Sequence, residues 1–108
     1  MSAEIDGPEA ARQRARELDD PAVTVHARDR FGLRAKAHPD DVYHAWDQGV
    51  PVHYPDTHHD YDVVRYNERD DLLLIADSRG GGRISTCIRL ASRPIDQQEY
   101  IKNQVSDQ

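Results

Sequence analysis

The sequence predicts an α+β domain in which N-terminal helices pack on an antiparallel sheet of about four strands. Two observations lead to this fold class. The residues before Gly49 show helical spacing of apolar side chains and helix-boundary residues, whereas those after it show the composition and alternation of strands. Short polar or glycine-rich turns separate the later strands, which favours antiparallel pairing.

Two helices are predicted in the first third of the chain. The first covers residues 8–18 and has Pro8 in its first turn, where the missing amide hydrogen would have no helical partner. The second begins after Thr24, whose hydroxyl suits an N-cap, and runs to about Ala35. Ala27 and Phe31 lie four residues apart on this helix, so both are expected to face the core.

A third helix is predicted to start at His38-Pro39-Asp40-Asp41 and to stop at Gly49. Proline suits the first helical position, and the two aspartates suit the positive end of the helix dipole. Glycine suits the end of a helix. The apolar stripe of this helix consists of Val42, Ala45 and Trp46.

Four strands are predicted after Gly49. They are an edge strand at residues 50–54, a β-branched and aromatic strand at 61–66, an apolar central strand at 72–76 and a last strand at 83–90. In the last strand, alternation predicts one face formed by Ile84, Thr86, Ile88 and Leu90, and an opposite face formed by Ser85, Cys87 and Arg89.

These elements divide the chain into three parts. Residues 1–22 are predicted to be an N-terminal extension with a short helix, 23–93 the α+β domain, and 94–108 a polar tail with a short helix near residues 97–103. The longest apolar run covers only residues 72–76, so no membrane segment is expected. A single cysteine, Cys87, excludes an internal disulfide and favours a reducing, cytoplasmic location.

Among the charged residues, aspartate far outnumbers glutamate, and arginine far outnumbers lysine. The chain has 15 Asp and 5 Glu against 12 Arg and 2 Lys, for a formal net charge of -6. An acidic, lysine-poor surface suits concentrated salt, where charges are screened within ~3 Å at molar ionic strength. The composition therefore favours a halophilic protein, with an ordinary acidic cytosolic protein as the alternative. Net acidity argues against a nucleic-acid partner, but this argument weakens in high salt.

The second helix carries a histidine and two arginines at four-residue intervals. His26, Arg30 and Arg34 in the stretch VHARDRFGLR are expected to line up on one face. Metal-free RNA cleavage needs proton transfer, which an imidazole can perform, and cations that stabilise the phosphorane, which guanidinium groups can supply. Thr86 would bind a nonbridging oxygen if the last strand lay beside this helix. The alternative is a solvated arginine face paired with carboxylates such as Asp29.

Two further motifs have simpler interpretations. His53, His58 and His59, with carboxylates nearby, suggest a transition-metal site, but their spacing matches no closed zinc site and favours a polar surface loop. The run Gly80-Gly81-Gly82 precedes a strand rather than a helix, so a hairpin turn is favoured over a phosphate loop. Arg83, which borders this turn, is a candidate phosphate ligand.

The pattern from His26 to Thr86 resembles a known family. His26-Ala27, Arg30 and Arg34, then a helix ending in Gly49, then a meander whose last strand carries Ile84-x-Thr86, is similar to the barnase/EndoU/colicin/RelE superfamily of small RNases. The closest resemblance is to its RelE-like branch, which is often found as toxins, and it extends from Val23 to Leu90. At the position of Arg65 or Tyr66 the resemblance implies a further site residue.

Together these observations predict a metal-independent endoribonuclease that cuts RNA by 2′-oxygen attack. His26, Arg30 and Thr86 are the candidate catalytic residues, and the candidate phosphate ligands are Arg34, Arg65 and Arg83. No metal or cofactor is expected, and the partners would be RNA and an antitoxin or another protein. The alternatives are a non-catalytic module that binds RNA or a protein and, third, a metal-binding protein that uses the histidine loop.

Overall fold

The computed structural model describes residues 7–35 and 41–106, and it confirms the α+β class. The helices of these residues are α1 (Pro8–Glu17), α2 (Val25–Ala35), α3 (Val42–Asp47) and α4 (Ile95–Ser106). The strands are β1 (Ala22–Val23), β2 (Val50–Val52), β3 (Asp62–Asn67), β4 (Leu72–Asp77) and β5 (Arg83–Arg89). None of the described helices is long and apolar enough to cross a bilayer.

The sheet has five strands in the order β1-β5-β4-β3-β2. Strands β2 to β5 pair antiparallel, and the apolar β4 occupies the centre as the sequence predicts. The fifth strand is β1, which pairs in parallel with the start of β5 through Ala22 and Val23. Two residues are too few to show alternation, which is why the sequence predicts only about four strands.

The helix boundaries follow the local chemistry of the sequence. The Thr24 hydroxyl accepts a hydrogen bond from the Ala27 amide at 3.0 Å, which confirms the predicted N-cap of α2. The predicted start of α3 falls on residues 36–40, outside the described residues. At its other end the Gly49 amide donates to the Trp46 carbonyl, so the helix stops where predicted. The C-terminal helix, α4, is longer than the sequence suggested.

The sheet buries both of its faces, but with different partners. We call one the three-helix face, because α1, α2 and α3 pack on it. Its core includes Phe31 and Trp46 from the helices and the strand residues Val63, Leu72, Leu74, Ala76, Ile84 and Cys87. The other is the α4 face, where Ile101 of α4 packs with Val52, Tyr54, Val64, Tyr66, Leu73, Ile75 and Leu90.

Gln104 of α4 joins both ends of the chain to the edge strand. Its side-chain oxygen accepts from the His53 amide at 2.7 Å and from the Arg12 guanidinium of α1 at 3.0 Å, and its nitrogen donates to the His53 carbonyl at 2.8 Å. The Nδ1 atom of His53 lies 2.7 Å from the hydroxyl oxygen of Tyr100. The two terminal helices are therefore packed parts of the fold.

Candidate functional site

The predicted stripe on α2 is present. Ala27 and Phe31, on the side of α2 that packs on the sheet, are fully buried. His26 and Arg30 are therefore exposed to solvent, and Arg34 is half-buried. Three arginines and one aspartate give α2 a formal charge of +2, although the whole chain carries -6. The stripe is therefore a local basic surface on an exposed side of the helix.

Arg89 extends this basic stripe, although its sequence position predicted no part in the site. Its guanidinium donates a hydrogen bond to the carbonyl of Arg34 at the end of α2. Arg89 pairs with Leu72 of β4 and so faces the helix. Cys87, two residues earlier on the same face, is buried, and its burial raises the pKa of the thiol to about 11 against the opposing charges of Arg34 and Arg30.

A β-bulge in β5 separates Thr86 from the α2 stripe. Ile75 pairs with Thr86 and Ala76 pairs with Ile84, so Ser85 is the extra residue and the alternation shifts by one. Ile84 and Cys87 therefore share the three-helix face, whereas Thr86 lies on the α4 face. As predicted, Thr86, Ile88 and Leu90 share one face of this strand, and Cys87 and Arg89 share the other. The prediction is wrong for Ile84, which the bulge places on the face of Cys87 instead of that of Thr86. Thr86 therefore lies on the sheet face opposite α2, away from His26 and Arg30.

Arg65 is a structural residue, which contradicts its predicted role as a phosphate ligand. Its side chain is only 7% exposed. Its guanidinium donates to the carbonyls of Ala15, Arg16, Leu18 and Trp46 at 2.9–3.2 Å. These carbonyls follow or end α1 and α3, where helix geometry leaves acceptors unpaired and negative. The adjacent alternative, Tyr66, is also buried, and its hydroxyl donates to Asp71 at 2.7 Å.

Thr86 instead lies in a groove on the α4 face, which we call the histidine groove. Its volume is about 350 Å³, within the range of roughly 300–1,000 Å³ typical of small-molecule sites. Arg83 begins β5 opposite Asp77, next to the groove and on the same sheet face as Thr86. The lining residues are Asp56, Thr57, His58, His59 and Tyr61 from the loop, Asp62 from the start of β3, and Ile75, Asp77, Arg79, Ser85, Thr86 and Ile88 from the β4–β5 hairpin.

The loop that carries the two histidines is fixed at several points. The His59 amide donates to the Asp62 carboxylate at 3.1 Å, and the Thr57 hydroxyl donates to the His59 carbonyl at 3.3 Å. Asp56 forms an ion pair of 3.1 Å with Arg93, which lies just before α4. The loop that carries His58 and His59 is polar and at the surface, as predicted. These contacts hold it as one wall of the groove.

No metal site is formed by the described part of the chain. Among residues 7–35 and 41–106, no three His, Cys, Asp or Glu side chains are grouped so that they could hold a metal ion. The ring of His53 contacts Tyr100 of α4, and His53 does not line the histidine groove with His58 and His59. The histidine groove therefore offers imidazole, hydroxyl, guanidinium and carboxylate groups that are not arranged as a ligand cage.

The comparisons with known proteins agree with the fold and with the resemblance seen in the sequence. No curated protein and no solved structure matches the chain. A family model described as "Putative RelE superfamily toxin domain" matches residues 23–91, from β1 through β5, which include α2 and the histidine groove. The chain belongs to this family of RelE superfamily toxin domains.

Proposed function

We propose that the protein is a toxin-type, metal-independent endoribonuclease whose reaction site is the histidine groove. The observation that carries the proposal is that the His58 imidazole and the Thr86 hydroxyl line one groove of a RelE superfamily toxin domain, with the Arg83 guanidinium next to it. Cleavage without a metal requires a proton-transfer group near the 2′-hydroxyl and hydrogen-bond donors to the phosphorane. The α2 stripe supplies an imidazole and cations, but its residues do not line the histidine groove.

In this proposal three residues have separate roles. His58 transfers the proton, Thr86 binds a nonbridging oxygen, and Arg83 next to the groove neutralises phosphate charge. The 2′-oxygen attacks phosphorus as His58 takes its proton, the bond from phosphorus to the 5′-oxygen breaks, and the protonated His58 gives that proton to the 5′-oxygen. The products are a 2′,3′-cyclic phosphate and a 5′-hydroxyl end.

The α2 stripe supplies a second contact to the RNA backbone. α2 and the histidine groove lie on opposite faces of β5. Among the described residues, the edge of β5 that faces away from β4 is paired only at Arg83 and Ile84, with β1. An RNA strand that crosses the free edge of β5 meets both surfaces. Arg30 and Arg34 then bind phosphates, and His26 contacts RNA away from the cleaved bond.

A second candidate function is a non-catalytic binding module that uses α2. Val25 and Leu33 on this helix are 74% and 70% exposed. Apolar side chains next to the basic stripe suit an amphipathic, acidic protein segment such as an antitoxin. In this case α2 binds the partner, and the histidine groove has no reaction to perform.

Cleavage of labelled RNA in high salt with EDTA tests the proposal. We expect cyclic-phosphate ends, and we expect His58→Ala to lower the cleavage rate by about a hundredfold or more, the usual contribution of a positioned proton-transfer group. Thr86→Val and Arg83→Ala should lower it less, because each removes one donor. His44→Ala, which changes an exposed histidine outside the groove, is the matched control.

His26→Ala separates the groove from α2. The proposal expects weaker RNA binding with cleavage of bound RNA retained. A hundredfold loss of cleavage in His26→Ala with binding intact would move the chemistry to α2. Absence of cleavage by the parent protein, together with binding of an acidic peptide lost in Leu33→Asp, would establish the binding module instead.

A further inference from the structure

We propose that the rim of the histidine groove contains a stacking subsite for a nucleobase, formed by three planar side chains. These are His59, Tyr61 and Arg79, which we call the planar cluster. The inference deepens the proposed function and rests on it, because it gives the groove a place for the base next to the phosphate that would be cleaved. It assigns to His59 a role different from that of His58.

The geometry of the planar cluster is that of stacked layers. The rings of His59 and Tyr61 are nearly parallel, with 7° between their planes and 4.8 Å between their centroids. The central carbon of the Arg79 guanidinium lies 3.8 Å from the centroid of the Tyr61 ring. His59 and Arg79 are solvent-exposed, whereas Tyr61 is half-buried. Planar groups that are already stacked and open to solvent form a platform on which a base can add a layer.

The cluster is held in place by hydrogen bonds within the protein. The carbonyl of Tyr61 accepts from both the amide and the hydroxyl of Ser78, at 3.1 and 2.6 Å. The Arg79 guanidinium donates to both carboxylate oxygens of Asp77, at 2.8–3.3 Å. Because the planar groups are positioned in advance, a base that stacks on them orders few additional side chains, which favours affinity.

The charges separate a base subsite from a phosphate subsite. The bidentate contact with Asp77 neutralises Arg79, and the Arg79 hydrogen bonds lower the pKa of Asp77 to about 2. Arg79 therefore contributes a planar face more than an unpaired charge. Arg83, which lies on the neighbouring strand, has no ion pair of its own among the described salt bridges and remains available for phosphate. A nucleotide matches this arrangement of planar and cationic groups.

Binding of adenosine 5′-monophosphate to the whole protein tests the inference without any cleavage step. We expect the ring proton resonances of His59 and Tyr61 to shift upfield on addition of this nucleotide, because ring currents of the stacked base shield them. Ribose 5-phosphate and inorganic phosphate should leave these resonances in place. Ribose 5-phosphate and inorganic phosphate lack a base, so they can bind only at the phosphate site near Arg83.

Substitutions at His59 separate stacking from other roles of the side chain. His59→Ala should weaken nucleotide binding about tenfold, in line with the alanine-substitution effect of a base–aromatic stack. His59→Phe, which keeps a planar ring and loses the ring nitrogens, should retain binding within about twofold for the same reason. His44→Ala is the control, and a thermal melt of each variant verifies that it is folded.

The subsite would be overturned by equal resonance shifts with ribose 5-phosphate, or by unchanged nucleotide affinity in His59→Ala. Loss of binding in both His59→Ala and His59→Phe would also overturn it, because that result points to hydrogen bonding by the imidazole. These outcomes are independent of the proposed nuclease. A protein that binds the nucleotide through His59 but leaves RNA intact would refute cleavage and retain the subsite.

Discussion

The two faces of the sheet use the same residue types for opposite purposes. On the three-helix face, Arg65 extends from β3 into a ring of carbonyls and is buried beneath helices. On the α4 face, Arg83 starts β5 and remains exposed to solvent. The first face is covered by three helices, whereas α4 covers only part of the second and leaves the histidine groove open. Function is therefore expected where the sheet is incompletely covered.

The comparison also shows why an arginine cannot be assigned from sequence position alone. Arg65 and Arg83 both occur in strands next to β-branched or apolar residues. The two arginines differ in what surrounds them: helix ends cover Arg65, whereas Arg83 is open to solvent. The ring of Trp46 lies beneath the Arg65 guanidinium at 4.6 Å, which adds a cation–π contact to the four carbonyl hydrogen bonds.

The largest effect is expected from Arg65→Ala. This change leaves buried carbonyls without donors and removes a charge-assisted contact between α1, α3 and the sheet, so the free energy of unfolding should fall by about 3 kcal/mol or more. Urea unfolding measures the loss. Arg65→Lys should recover only part of it, because one ammonium group cannot reach carbonyls in the spread pattern of a guanidinium. Arg83→Ala, the matched control, should stay within ~0.5 kcal/mol.

A smaller loss is expected from Gly82→Ala in the β4–β5 hairpin. Gly82 has φ +88°, and a β-carbon there would lie 2.2 Å from a methyl carbon of Leu18, so we expect a cost of roughly 1–3 kcal/mol from backbone strain and displacement of Leu18. Gly81 has open space around it and serves as the control. Gly81→Ala should be neutral or stabilising by up to ~1 kcal/mol. Equal melting temperatures for the two variants would contradict this account.

Salt should stabilise the whole molecule moderately. Raising KCl from dilute to molar screens repulsion among the 20 acidic side chains, and each kcal/mol gained raises the melting temperature by roughly 4–8 °C in a domain of this size. Thermal melts across this range measure the effect. A flat melting temperature would remove the argument for salt adaptation. The basic α2 stripe predicts that RNA binding weakens over the same range while stability rises.

The smallest expected effect is a pH dependence that arises from His53. Partial burial, with the charges of Arg12 and Arg14, lowers the pKa of His53 below its usual 6.5 in the folded state. The unfolded state therefore binds a proton first, and this contribution to stability is lost as pH falls below about 6.5. His53→Gln should make the melting temperature less dependent on pH between 7 and 5, whereas His44→Gln should leave the dependence as it is.

The sequence predicts the elements and their order because those depend on local chemistry. The hydroxyl of Thr24, the apolar run in β4 and the three glycines of the hairpin each act within a few residues. The α2 stripe was also predictable, because helical periodicity alone aligns its members. These parts of the candidate site required no knowledge of the rest of the molecule.

The remaining features depend on contacts distant in sequence. The bulge at Ser85 places Thr86 on the opposite sheet face from Ile84, and the residue type at position 85 does not predict a bulge. The carbonyl partners of Arg65 lie 19–50 residues away in the chain, so its burial could not be inferred from neighbouring residues. The histidine loop forms a groove only because the β4–β5 hairpin lies opposite it. The nearest sequence signal was the histidine cluster itself.

The position of Arg65 makes the folding unit larger than the family-matched segment. That segment, residues 23–91, contains the guanidinium, but three of its four carbonyl partners belong to Ala15, Arg16 and Leu18. A fragment cut to the family boundaries would lose three of the four acceptors of Arg65 together with α1, which packs on β2 and β3. Residues before the matched segment thus contribute to its packing, and expression of residues 23–91 alone should yield an insoluble or loosely packed protein.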